Sequence, residues 1–442
     1  MNIKIPKEVH FILGQLNKQG HEAYVVGGCV RDSLLEKEPQ DWDITTSALP
    51  EQVKGIFSKT VDTGLEHGTV TVIRGRKSFE VTTYRIDGTY VDNRHPSSVM
   101  FTSNLAEDLR RRDFTINAMA YHPSLGLVDP FDGRGDIHKR TIRCVGNAKA
   151  RFSEDALRVL RALRFCAQLD FSIDYYTKTA LKRRVSDLKE ISKERVYSEI
   201  TKILTSEHPE VFRKLVEYGI TKLFIPEFDE LMKEKVQETN LGEQVFEMLK
   251  IVSPDKALRY AVVFFSLGKP ARKQLSVDGE VIFPFYEKVS ESYARKILKD
   301  LTMDNNTLNK VLLFLRFHNY PLKNNDYEIR KCLHQFGKPE LFGLLLQFQE
   351  AYIYTDPLMP TAISKERALT EHKKIKQLYK EILLCKDCLH LQDLAIKGTD
   401  LLERGFRPGK EIGMHLEKAL DFVLSNPNAN TKEELLNYLG IE

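Results

Sequence analysis

The hydrophobic period of the chain changes once, near residue 150, and this divides it into two kinds of structure. Upstream, a first helix leads into AYVVGG (23–28), an apolar run entering a double glycine, followed by GTVTVI (68–73) and FEVTTYR (79–85) with turn residues between them. That is the pattern of an α/β unit over residues 1–145. Downstream the period is helical to the end. SEDALRVLRALRF (153–165) sets Leu157, Leu160 and Leu163 at helical spacing, with Ser153 as a cap before an acidic first turn. Helical runs continue through KERVYSEITKIL (193–204), 240–350 and 365–442. Between the two regimes, IDGTYVDNRHPSSVMFTSNL (86–105) is long and polar for a connection inside a compact domain, and such loops tend to be functional or mobile.

A length of 442 residues predicts two to four domains. With 42% hydrophobic and 29% charged residues the chain reads as globular. No apolar run approaches the roughly 20 residues that span a bilayer, and MNIKIPKEVH lacks the apolar core of a signal peptide, so a cytoplasmic, membrane-free protein is expected. Cys385 and Cys388 form a single CxxC without a second pair, which reads as two reduced thiols rather than a zinc site. The net charge of +4 permits a polyanionic partner, and the basic residues cluster at Arg110–Arg112, at Lys182–Arg184, and at helical spacing over Arg158, Arg161 and Arg164.

Four groups of residues carry chemistry. In QDWDITTSA (40–48), Asp41 and Asp43 stand two apart in a segment suited to a strand, so both carboxylates point to one face. Converging carboxylates repel unless a cation sits between them, and hard oxygen ligands suit Mg²⁺. Upstream, VVGGCVRD (25–32) runs a strand through Gly27 and Gly28 towards a helix N-terminus, a place where backbone amides meet phosphate, and Arg31 adds a guanidinium fork. Glu80 in FEVTTYR is a possible third carboxylate, as readily a solvent-facing structural acid. In RRDFTINAMAY (111–121), read as a helical stretch, Arg112 suits phosphate while Asp113 and Asn117 suit ribose hydroxyls; salt-bridged helix surface is the bland alternative.

Taken in order, GGCVRD, DWD, RRDFTINAMAY, DPFDGRGDI (129–137), SEDALRVLRALRF and ERVYSEI (194–200) resemble the motifs of bacterial class II tRNA nucleotidyltransferases, of the DNA polymerase β superfamily, shared with bacterial poly(A) polymerases. The likeness is close over about residues 20–210, and KGTDLLERGFRPGKEIG (397–413) is similar to the family's C-terminal tail. It implies an α/β nucleotidyltransferase head with a mixed, polymerase β-like sheet (1–145), followed by an elongated all-α neck (146–210), body (211–345) and tRNA-binding tail (346–442). It implies template-independent addition of C, C and A to the 3′ end of tRNA from CTP and ATP by two-metal transfer. Asp41 and Asp43 would hold two Mg²⁺ ions, and Gly28, Arg31, Arg112, Asp155, Arg158, Arg161 and Arg164 would contact nucleotide. The partner would be the tRNA 3′ end and acceptor arm, with the protein a monomer or homodimer.

Asp155 and Arg158, three apart on one expected helix, would share a face. A carboxylate only accepts hydrogen bonds and a guanidinium only donates. Cytosine and adenine both present an amino donor beside a ring-nitrogen acceptor, and uracil and guanine present the reverse. Such a pair admits C and A and rejects U and G without a template.

Three activities share these motifs. Enzymes adding only CC lack the loop that TYVDNRHPSSV (89–99) resembles, poly(A) polymerases typically carry longer basic extensions, and an enzyme adding only A keeps the loop. Full CCA addition is therefore expected first, A-only addition second and poly(A) synthesis third. The middle of the chain, ALRYAVVFFSLGKPARK (257–273) onward, looks like an HD-type phosphohydrolase domain in which Phe265, Ser266 and Tyr286 stand at ligand positions and His318 alone remains, so a structural remnant is expected.

Overall fold

A computed structural model describes residues 3–88, 98–236, 239–359 and 361–441. The chain divides into two compact units, Met1–Phe224 and Ile225–Glu442.

The first unit is built on a seven-stranded sheet. Its strands are β1 (Ala23–Val26), β2 (Ile44–Thr46), β3 (Thr60–Gly64), β4 (Thr69–Arg74) and β5 (Lys77–Thr83). A separate two-stranded ladder, β6 (Arg85–Asp87) with β7 (Val99–Phe101), comes next in the chain, and β8 (Ala120–His122) and β9 (Gly126–Val128) complete the sheet. The order is β3-β4-β5-β2-β1-β8-β9, and only the β2–β5 pairing is parallel, so the sheet is mixed. The ends of the polar stretch 86–105 are thus paired across β6 and β7, while most of the segment likened to the family's loop, residues 89–97, lies outside the described residues.

The strands alternate between two surroundings. Ala23, Val25, Ile44, Phe79 and Val81 enter a large apolar core with Val9, Ile12, Leu13 and Leu16, the buried stripe of helix α1 (Lys7–Lys18). Helices α2 (Gly28–Leu34) and α3 (Pro50–Ile56) add Val30 and Val53 to that core. The opposite parity, with Tyr24 and Val26, meets a smaller cluster around Leu105 and Leu109 of α4 (Leu105–Arg110). That second face is only part covered, and it carries Asp43 and Glu80.

Helices α5 (Gly133–His138), α6 (Ala148–Glu154), α7 (Arg158–Leu169), α8 (Tyr175–Lys182) and α9 (Lys193–Leu204) follow. Side-chain caps start several: Asn104 accepts from the Ala106 amide, Asn147 from Lys149, and Asp174 from Thr177. The expected single helix over 153–165 is two. Ser153 lies inside α6, its hydroxyl bonded to the Lys149 carbonyl, and the chain breaks at Asp155 before α7.

The second unit is helical among its described residues, apart from two short ladders, Lys235–Val236 with Thr239–Asn240 and Gln274–Leu275 with Val281–Ile282. Here the phosphohydrolase-like residues converge. The Tyr286 hydroxyl and His318 Nε2 are hydrogen-bonded at 2.8 Å, His318 Nδ1 faces the Leu315 carbonyl at 2.7 Å, and the Phe265 ring lies edge-on to His318. Burial pushes the His318 imidazole down to about 4, so it is neutral at physiological pH.

Candidate active site

The turn after β1 is the first wall of the site. Gly27 sits at φ +81°, where a side chain is strained, and a Cβ there would also come within 3.1 Å of Arg112 Nη1. Arg112 therefore lies across the glycine turn, where the backbone is most open to a ligand. Arg31, one turn into α2, donates through Nη1 to Asn117 Oδ1 at 2.6 Å and through Nε to Asp32 at 2.8 Å.

Asp41 and Asp43 lie on the lead-in to β2 rather than within it. The ladder already reaches them, because the Val26 amide donates to the Asp43 carbonyl at 3.0 Å. Trp42 between them packs on the large core, which turns both carboxylates outward to the open face. The β2–β5 register pairs Ile44 with Val81, so Glu80 falls beside Asp43. Lost hydration raises the Asp43 carboxyl above its ordinary value; Arg112 opposes the rise, and Glu80 and Asp41 add to it. Among the described residues no group of three His, Cys, Asp or Glu side chains is gathered as a metal cluster. The set therefore offers the Asp pair, with Glu80 close enough to be felt.

Residues 111–121 are not the expected helix. After α4 the chain turns, Phe114 bridges Cys144, a single 3-10 turn covers Thr115–Asn117, and β8 follows. Partners distant in sequence hold it open: the Thr115 amide donates to the Arg143 carbonyl, and the Val145 amide to that of Asp113. Asp113 is buried and ion-paired to Arg161 of α7, whose Nε donates at 2.7 Å, and it accepts from the Phe114 amide at 2.8 Å. Burial alone would raise its carboxyl, but the Arg161 and Arg158 guanidiniums overcome that and hold it at about 2. Asn117 joins the pieces, accepting from Arg31 and lying 3.4 Å from Asp113 Oδ1.

Asp155 and Arg158 do not share a helical face. Asp155 is extended, with φ −141° and ψ 107°, and closes the turn that leads into α7: its Oδ1 accepts from the Leu157 amide at 2.9 Å. Aspartate competes for its own downstream amides, which favours such a turn over a helix interior. Its Oδ2 accepts from Arg195 of α9 at 2.8 Å. Arg158 instead pairs with Glu154 at 2.5 Å and donates to the Arg151 and Arg111 carbonyls. Arg164 pairs with Glu199 at 2.9 Å and stands over the Phe165 ring, and burial lowers it to about 10.

These elements enclose one cavity of about 660 Å³. Gly28, Arg31, Asp43, Arg112, Asp113, Asn117, Asp155, Arg158, Arg161 and Arg164 all line it; Asp41 and Glu80 do not. Its wall also holds Arg111, noted in the sequence only as part of a basic cluster, and Arg85, Arg195 and Lys202, which the sequence did not mark individually. Arg111 and Arg195 lie inside family motifs quoted for their neighbours, whereas Arg85 and Lys202 lie in runs read only as a strand and a helix. The lining is strongly cationic and opens onto a carboxylate, the charge pattern of a pocket for a polyphosphate with its counter-ion.

Sequence models cover most of the chain: the Poly A polymerase head domain over residues 23–143, an RNA and SrmB-binding site of polymerase A over 170–232, and tRNA nucleotidyltransferase domain 2 over 281–439. A CCA-adding enzyme of Leuconostoc citreum is 51% identical over 434 residues, covering 97% of this chain and 94% of that protein. The chain belongs to the CCA-adding enzyme family. A second member, from Lactobacillus delbrueckii subsp. bulgaricus, is 34% identical over 97% of this chain and 96% of its own length. Among solved structures, the Bacillus stearothermophilus CCA-adding enzyme in complex with CTP superposes with a TM-score of 0.70 at 28% identity, over 98% of this chain and 96% of that one. The Thermotoga maritima CCA-adding enzyme complexed with tRNA shares the fold at a TM-score of 0.58 and 21% identity, over 99% and 96%.

Proposed function

We propose that this chain adds C, C and A to the 3′ end of tRNA from CTP and ATP, without a template, releasing pyrophosphate. One observation carries the reading: Asp43, the arginine beside the glycine turn, and both Asp155 and Arg158 line a single cavity. Chemistry, phosphate binding and base choice are then served by one site, as enzymes that take two nucleotides in turn require. Membership of a family whose solved members include a CTP complex and a tRNA complex supports the same reading.

Asp41 and Asp43 fit Mg²⁺, a hard cation that binds through one or two carboxylates and completes its shell with phosphate and water. When bound, such ions would activate the tRNA 3′-hydroxyl and neutralise the triphosphate. The chain's own residues do the rest. Arg112, across the glycine turn, receives phosphate oxygens. Asp113, its two oxygens taken up by Arg161, the Phe114 amide and Asn117, fixes the guanidinium row of α7 and leaves the ribose to Asn117 and its neighbours. Asp155 keeps unused lone pairs on both oxygens and accepts from the C4 amino group of cytosine or the C6 amino group of adenine. Arg158, oriented by Glu154 and two carbonyls at the wall of the same cavity, donates to the adjacent ring nitrogen once the base is in place. In this reading residues 1–145 act as the head, 146–210 as the neck, and the segments beyond bind the tRNA.

The test is a purified protein given tRNA ending at the discriminator base, with the four nucleotides supplied separately and together and products resolved at single-nucleotide steps. Three additions, C, C then A, are expected. A single A added only to tRNA already ending in CC would replace this reading with A-only addition, and long A tracts would replace it with poly(A) synthesis.

A further inference from the structure

A carboxylate outside every motif discussed so far lies beneath the cavity wall. Asp108, on the last turn of α4, is fully buried. Its Oδ1 accepts from Arg111 Nε at 2.9 Å, from Arg111 Nη2 at 2.7 Å and from the Arg85 amide at 3.4 Å. Its Oδ2 accepts from the Thr45 hydroxyl at 3.2 Å and from Arg112 Nη2 at 3.4 Å. One buried group thus grips both arginines that face the cavity from residues 111–112, and anchors them to β2 through Thr45.

The geometry has a direction. Arg111 is bound side-on through Nε and Nη2, and Arg112 through Nη2 alone. Arg112 Nη1 is left over the Gly27 turn, and its buried Nε has no partner. A buried donor without a partner is costly unless a ligand supplies the acceptor. An exposed arginine would lose side-chain freedom on binding phosphate, whereas one already clamped from behind has lost it in advance.

We propose that Asp108 is a positioning residue for the triphosphate: it clamps Arg111 and Arg112 so that the free donors of Arg112 meet the phosphates of whichever nucleotide enters. This rests on the reading of the cavity as a nucleotide site. Because phosphates are common to all nucleotides, the role is blind to the base, in contrast to that of Asp155.

The experiment measures equilibrium binding of CTP, ATP and CMP to the full-length protein with Mg²⁺, alongside steady-state KM and kcat on tRNA, for the wild type and for Asp108→Asn. The amide keeps the shape and removes the charge. Affinity for CTP and ATP should fall by the same factor, roughly tenfold to a hundredfold for a lost charge-assisted clamp. CMP affinity should change far less, KM for nucleotide should rise more than kcat falls, and discrimination against UTP and GTP should not move. Equal losses for CMP and CTP, or an altered base preference, would overturn the proposal. Buried ion pairs are sensitive to losing one partner, so Thr45→Val, which removes one bond to the same oxygen, is measured in parallel. It should show the same phosphate-dependent pattern at roughly a few-fold size, and unchanged CTP affinity there in a chain whose Asp108→Asn variant does not fold would also overturn it. Wild-type binding of CTP without any transfer to tRNA would instead count against the proposed function, leaving the clamp readable on its own.

Discussion

Arg195 donates to the Asp155 carboxylate at 2.8 Å, while Arg158, three residues beyond Asp155, is paired with Glu154 at 2.5 Å. The two residues expected to read the base are thus held by separate partners, one on α9 and one on α6. Their alignment is set by the packing of three helices rather than by the pitch of one.

Base choice should therefore fail in graded steps. Asp155→Ala removes the acceptor for the C4 or C6 amino group and the repulsion against the carbonyl of U or G. Its kcat/KM values for UTP and GTP, measured on tRNA ending in CC against those for CTP and ATP, should approach each other. A site built on hydrogen bonds discriminates by roughly 10⁴ at best, so a rise of tenfold or more in relative UTP and GTP use is expected. Arg195→Ala should give a smaller rise, because the acceptor stays and keeps its bond to the Leu157 amide but loses the one from α9. Arg158→Ala should damage activity most, since three contacts go with it. Unchanged discrimination in Asp155→Ala would remove this segment from base selection altogether.

Asp41→Ala and Asp43→Ala should each abolish incorporation of both C and A. The two carboxylates stand on one open face, and Asp43 lines the same cavity as Asp155 and Arg158, so both nucleotides are expected to react at one centre. Radiolabelled CTP and ATP incorporation, each on its own acceptor tRNA, is the measurement. A variant that loses one nucleotide and keeps the other near wild type would contradict a shared site.

What the sequence made legible was local. An aspartate pair two apart signals two carboxylates on one face, and the structure has them so at the entrance to β2, with Trp42 between them packed partly buried on the core. The helix over 193–204 is likewise set by its own periodic residues. The two misreadings have different causes. Residues 111–121 carry enough apolar spacing for a helix, but backbone bonds to Arg143 and Val145 decide their shape, and no local pattern announces a partner thirty residues away. Asp155 reads as the first turn of a helix until its carboxylate is seen to accept from the Leu157 amide. Asp108 had a faint signal, an acid three and four residues before two arginines, which on most helices is a solvated pair. Only its burial gives it weight.

Asp113 links the site to stability. Its folded carboxyl is held at about 2, against about 3.9 in an unfolded chain. The difference stabilises the fold above pH 4, by about 2 kcal/mol, and is lost as pH falls through the folded value. In urea titrations between pH 7 and pH 2.5, the wild type should exceed Asp113→Asn by a constant margin down to about pH 4, with the margin closing below it. A margin independent of pH would mean that the carboxylate charge is not what Arg161 recognises.

Lys269 supplies a prediction of opposite kind in the second unit. Its ammonium group is buried without a hydrogen-bond partner, boxed by the rings of Phe265, Phe283, Tyr286 and Tyr352 at 5.2–5.7 Å. The ring faces attract the cation, yet burial outweighs this and the nearby Asp356 and Glu287, lowering the amine to about 8. An unfolded lysine keeps its proton to about 10.4. Between those values the folded chain binds fewer protons than the unfolded one, so stability rises with pH, by about 2 kcal/mol from pH 8 to 9.5. Below pH 8 the lysine is charged in both states and that gain is absent. Lys269→Met keeps the unbranched stem in the aromatic box and removes the titration. Urea unfolding of the full chain, followed at pH 7.5 and 9.5, should find Lys269→Met the more stable at the lower pH, with its advantage shrinking at the higher. The same pH dependence in both proteins would show that the amine stays charged within its ring of aromatic side chains, with the cation–π contacts strong enough to offset its desolvation.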